Sequence, residues 1–140
     1  MSSFHEFYLV SKDMNWGKVN NFEIHDEFIS YVDEQVGEPN NKLLKVPSFM
    51  PIEEIEQSER PKETGLDFFG TTAFNYYSSD LLVETFEQWK IIAEKLPSEV
   101  FSFHDIVEFN RKDILMNLTK AIELSKMINN KNYRLYHYGI

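Results

Sequence analysis

A chain of 140 residues with a net charge of −9 and no cysteine fits a single domain, residues 1–140. The missing cysteines exclude a disulfide scaffold, a thiolate zinc site and a cysteine nucleophile. With 42% hydrophobic and 15% aromatic residues, the composition argues against a disordered chain.

The acidic excess is unevenly spread. Residues 1–67 hold 14 acids against 6 bases, whereas residues 68–140 hold 9 against 8. Binding to a phosphate backbone needs clustered Lys and Arg, so direct nucleic-acid binding is not expected. An acidic face suits a basic partner instead, by steering and by complementary potential. The N-terminus Met1-Ser2-Ser3-Phe4-His5-Glu6 has neither the positive region nor the apolar core of a signal peptide. No lipidation signal is visible, and no apolar run approaches the ~20 residues needed to span a bilayer. The expectation is a cytoplasmic protein without membrane contact.

Phe4–Val10 reads as a strand by its alternation, and the polar, Asn-rich stretch Ser11–Asn21 as a loop. His25–Val36 reads as a helix whose stripe is Ile24, Phe28, Tyr31 and Val32, stopped by Gly37. Asp26 and Glu27 in its first turn suit the helix dipole; Asp33 and Glu34 in its last turn oppose it, so another reason must keep them there. Glu38–Pro51 is irregular. Pro51–Glu59 is predicted as a short acidic helix. Gly65–Tyr77, rich in β formers with apolar residues in both alternating sets, predicts a central strand covered on both faces, with Gly70 at a bulge or close approach.

Ser79–Leu96 is the clearest helix, with the stripe Leu82, Phe86, Trp89 and Ala93 and a stop at Pro97. Trp89 is expected in the core. Val100–Phe103 reads as a short strand. Asn110 caps a long helix over 111–129, striped by Ile114, Leu115, Leu118, Ala121, Ile122, Ser125 and Ile128. Tyr133–Tyr138 closes the chain as a strand. The alternating β/α order predicts an α+β fold: one mixed sheet of about four strands, packed by two long helices, one N-terminal helix and the short acidic helix. The alternation permits parallel neighbours.

No motif fixes a chemistry. Gly65-Leu66-Asp67-Phe68-Phe69-Gly70-Thr71-Thr72 has the glycine spacing of a phosphate loop, but Thr71 stands where its lysine belongs and strand formers fill it. His5, His25, His104 and His137 show no helical metal spacing, so neither a metal nor another cofactor is expected. His5 and His137 fall on separate predicted strands, so a sheet can bring them together. No G-x-S-x-G elbow occurs. The paired carboxylates sit in openly charged stretches, where no raised pKa suits them to acid catalysis. Tyr76, Tyr77, Tyr133, Tyr136 and Tyr138 can belong to the sheet or line a pocket. Trp16, in a polar loop, is a candidate binding anchor if exposed, or else a plug folded back over the core.

The short acidic cysteine-free chain, its aromatic segment Gly65-Leu66-Asp67-Phe68-Phe69-Gly70, the Trp-bearing amphipathic helix after it, the long helix and the terminal strand Leu135-Tyr136-His137-Tyr138-Gly139-Ile140 together resemble the small immunity proteins of bacterial polymorphic toxin systems, including contact-dependent inhibition. The resemblance implies a non-enzymatic cytoplasmic inhibitor that binds and neutralises one cognate toxin domain, often a basic nuclease. Partner-binding residues are then expected among Asp26, Glu27, Asp33 and Glu34 on the first helix, Glu53, Glu54, Glu56 and Glu59 on the short one, and Trp16, with a monomer favoured. The alternative is a small intracellular enzyme or ligand-binding domain with a tyrosine-lined pocket.

Overall fold

Alternation in the first strand does what its pattern predicts. β1 (Phe4–Ser11) buries His5, Phe7 and Leu9 on one face. A computed structural model describes residues 4–11, 20–37, 40–50, 60–103 and 107–139. The predicted acidic helix over 51–59 and Trp16 lie outside the described residues.

β2 (Asn20–His25) pairs antiparallel with β1, opposing Phe7 to Phe22 and His5 to Ile24. This strand is a correction: Asn20 and Asn21 disguised its start as loop, and Ile24 belongs to its buried face rather than to the following helix. That helix, α1 (Asp26–Val36), begins one residue later than expected, because His25 is its N-cap and accepts the Glu27 N–H. Gly37, at φ 80°, ends it by donating to the Asp33 carbonyl, the glycine stop that the sequence predicts.

The irregular stretch after α1 holds a 3₁₀ turn at Lys42–Lys45 and a two-residue strand β3 (Pro47–Ser48), which pairs with β4 (Glu63–Thr64) as a small second sheet. The expected long strand over 65–77 shrinks to β5 (Thr71–Phe74). A turn interrupts it on one side, where the Asp67 carboxylate accepts the Phe69 N–H and Gly70 N–H bonds the Asp67 carbonyl. On the other side Asn75 caps a 3₁₀ turn at Tyr76–Ser78. Asx chemistry thus overrode β propensity at both ends.

Two long helices follow: α2 (Ser79–Glu94) and α3 (Arg111–Met127). Their buried stripes are Leu82, Phe86, Trp89 and Ala93, and Leu118, Ala121, Leu124 and Ser125. The Ser79 hydroxyl donates to the Ser125 carbonyl and joins the pair. The short strand expected at 100–103 is reduced to one antiparallel bridge, Phe101 with Phe109. β6 (Tyr133–Tyr138) runs between β1 and β5.

The main sheet has the order β2-β1-β6-β5. Expected to be mixed, it is antiparallel throughout. A nearby hairpin partner and a returning C-terminal strand need no βαβ crossover. β5 is outermost rather than central, bridged on its far side by Phe49. The fold is α+β, with its apolar core of Phe7, Phe22, Phe28, Phe74, Phe86 and Trp89 between sheet and helices. Among the described residues, no helix is long and apolar enough to cross a membrane.

Candidate functional site

Where β2 runs into α1, the sequence changes period at His25. The first turn of α1 therefore sits between two groups of histidine and carboxylate.

On one side the antiparallel pairing of β1 with β6 brings His5 and His137 together. His5 Nδ1 lies 2.8 Å from His137 Nε2, and His5 Nε2 lies 2.9 Å from the Asp26 carboxylate. Both imidazoles are fully buried. Burial, reinforced by the neighbouring His5, holds the His137 imidazole down to about 3. With one proton on each ring, the chain closes in one direction. His137 Nε2–H donates to His5 Nδ1, His5 Nε2–H donates to Asp26, and His137 Nδ1 is left as a bare acceptor with no partner among the described residues. Phe68 packs edge-on over His5, and Gly139 donates to the Gly70 carbonyl, holding the 67–70 turn as a cover. The group fixes the start of α1 to the sheet, and its buried rings offer no approach to a substrate. Among the described residues no group of three or more His, Asp or Glu is placed to hold a metal ion.

The other side is open. A cleft of about 270 Å³ lies between β2, the start of α1 and α3, and the 107–110 segment. Its walls are apolar: Phe4, Ile24, Phe28, Phe109, Ile114 and Leu118 contribute. Three carboxylates join this lining, Glu23, Glu108 and Asp113. None is ion-paired among the described residues, and no lysine or arginine lines the cleft among them. Glu108 and Asp113 are exposed, as is Glu23. Asn117 stitches one wall, accepting the Glu23 N–H at 3.0 Å through its Oδ1 and donating to the Asp113 carbonyl.

His25 lines the same cleft and is nine-tenths buried. Its ring is held edge-on against Phe4 and Phe109. Because Nδ1 accepts the Glu27 N–H at 3.0 Å, the proton of the neutral ring sits on Nε2. That N–H makes no hydrogen bond among the described residues. Burial lowers the His25 pKa against the opposing pull of Glu27 and Asp26, so the ring is neutral near pH 7 and adds no positive charge.

A second cleft of about 310 Å³ opens beyond Phe101 and Phe103, lined by Glu27, Tyr31, Glu34, Phe101 and Phe103. Tyr31, Phe101, Phe103 and Phe109 pack as one aromatic cluster between the two clefts. The sequence places no lysine or arginine from Phe101 to Asn110. The nearest base, Arg111, points its guanidinium at the Leu96 carbonyl at 3.2 Å and is committed to the end of α2.

The four expected acids of α1 therefore divide. Glu27 and Glu34 line the second cleft. Asp26 is engaged by His5, although part of its carboxylate reaches solvent. Asp33 accepts the Asn41 amide at 2.6 Å while Asn41 caps the next 3₁₀ turn, which is what keeps an acid in the wrong turn of the helix. Glu53, Glu54, Glu56, Glu59 and Trp16 lie outside the described residues. The tyrosines separate by strand alternation: Tyr133 shares the helix-side face with Leu135 and His137, while Tyr136 and Tyr138 point to the other face. Sequence reasoning missed Glu23, Glu108 and Asp113. No local signal joins Glu23 to residues some 90 positions later; only the packing of β2 against α3 does.

Against known proteins, the chain matches no family model, no curated relative and no solved structure.

Proposed function

We propose that this protein is a non-enzymatic inhibitor that binds a basic protein domain and neutralises it, as the immunity proteins it resembles do for their cognate toxins. The observation that carries the reading is the pair of clefts flanking the aromatic cluster of Tyr31, Phe101, Phe103 and Phe109. Aromatic and aliphatic walls there are joined by five carboxylates, Glu23, Glu27, Glu34, Glu108 and Asp113, with no lysine or arginine among the described lining residues. Apolar anchoring ground ringed by one sign of charge suits a partner of the opposite sign. The fully buried His5–His137 pair supports a structural rather than catalytic role for the most obvious titratable cluster. On this reading the protein acts in the cytoplasm as a monomer, and a basic nuclease toxin is the partner that the charge suits best.

The test is capture from a lysate of the source organism at low and at high salt, followed by assay of the captured protein. The expected result is one stoichiometric basic partner, held less tightly in salt, whose toxic activity disappears when the inhibitor is added back. A captured partner whose activity is untouched, or no partner in a lysate shown to contain the neighbouring gene products, overturns the reading.

A further inference from the structure

The cleft between β2 and α3 has a more specific chemistry than a charged surface. At about 270 Å³ it falls just below the range of pockets that enclose drug-sized ligands, roughly 300–1,000 Å³. It has the size for one long side chain. Its floor is apolar, with Ile24, Phe28, Ile114 and Leu118, and its acids are exposed. That division matches a side chain with an aliphatic stem and a cationic head.

Three features separate the possible cations. Phe4 is partly exposed at the cleft, and a guanidinium stacks on an aromatic face better than an ammonium does. Carboxylates also take a guanidinium through paired hydrogen bonds. The third feature is His25, whose Nε2–H has no acceptor among the described residues although its ring is nine-tenths buried in the cleft wall. A metal ion or a free amine offers that donor nothing. A peptide offers it a backbone carbonyl.

We propose that the β2–α3 cleft is a receptor for a single arginine side chain of a partner polypeptide, its stem on Ile24, Phe28, Ile114 and Leu118, its guanidinium among Glu23, Glu108 and Asp113, and a neighbouring backbone carbonyl accepting from His25 Nε2–H. The proposal rests on the reading of the protein as a binder of basic proteins, and it names the anchor.

The test is an amide-resolved NMR titration of the full chain with a capped peptide carrying one arginine among alanines. The control peptide carries citrulline, the neutral isostere, at the same place. The arginine peptide is expected to shift the amides of Glu23, Ile24, Asp113 and Asn117 saturably. Charge-assisted hydrogen bonds of ordinary strength make the citrulline peptide roughly tenfold weaker. The double variant Glu108→Gln/Asp113→Asn should lose the difference between the two peptides while keeping its spectrum elsewhere. Equal binding of the two peptides, shifts mapping to another surface, or no saturable shift at millimolar peptide overturns the arginine receptor. The two levels fail separately. A toxin partner captured equally well by the double variant removes the cleft's role and leaves the inhibitor reading standing. An arginine peptide that binds the cleft of a protein that neutralises nothing does the reverse.

Discussion

His5 and His25 both sit beside the first turn of α1, each within reach of a carboxylate, yet their surroundings have opposite character. His5 lies in a closed corner. Both of its nitrogens are bonded, Phe68 covers its ring, and in the chain His137–His5–Asp26 only the buried His137 Nδ1 lacks a hydrogen bond among the described residues. His25 lies in an open corner, with one nitrogen spent on capping the helix and the other without a partner among the described residues. The neighbouring acids differ in the same way: Asp26 is engaged from within, whereas Glu23, Glu108 and Asp113 are exposed and have no ion-pair partner among the described residues. Residue type therefore says little about role. What separates the two corners is whether the nitrogens of the histidine beside the helix have both been engaged inside the chain.

Acid should break the closed corner first. An unfolded histidine takes its proton near pH 6.5, whereas folded His137 resists protonation down to about 3. Between these values the unfolded state binds more protons, so stability present above pH 6.5 is lost as pH falls toward 3. The upper limit of this loss is about 5 kcal/mol. His25, also held low by burial, adds in the same direction. Urea midpoints measured across that window should fall steeply for the natural protein and less steeply for His137→Phe. Equal slopes would show that His137 is not the group responsible.

Gly139→Ala attacks the same corner from its cover. A Cβ there meets the Phe68 carbonyl, so the 67–70 turn or the C-terminal residues must move. Overpacking of this kind costs roughly 1–3 kcal/mol. Faster amide exchange at Phe69 and Gly70 should accompany the loss; an unchanged exchange rate there would show that the cover is not held by this approach. Asn117→Ala is the next smaller step. It removes the acceptor for the Glu23 N–H and should cost about 1 kcal/mol, read by denaturation and by exchange of that single amide.

The open corner should respond least of all in stability. Glu108→Gln with Asp113→Asn lies on exposed positions and should change the unfolding free energy by about 0.5 kcal/mol or less. Large destabilisation by this pair would mean that the acids are structural after all, and the contrast between the two corners would collapse.

Much of the framework was readable from local pattern. The alternation in β1, the stripes Leu82-Phe86-Trp89-Ala93 and Leu118-Ala121-Ser125-Ile128, the Asn110 cap and the Gly37 stop each depend on neighbours within a few residues. The meeting of His5 with His137 was readable as an opportunity, because both fell on strands. β2 was hidden because its first two residues are asparagines, and β5 was overextended because Asp67 and Asn75 use side-chain hydrogen bonds to turn a chain of β formers. The cleft was not legible. Its acids come from both halves of the chain, two of them from the half whose charges nearly balance, and only tertiary packing gathers them while turning Arg111 away.

The link from Asn117 to Glu23 has a consequence for the life of the protein in a crowded solution. β2 is the last strand of its sheet, and a last strand offers its unused N–H and C=O groups as a template for another chain. Here one of those N–H groups is already taken by a helix-borne amide, and at the opposite margin Phe49 occupies both backbone groups of Ala73. At each margin the chain itself thus occupies part of the edge, which leaves a foreign strand a shorter template in a chain this rich in aromatic β formers.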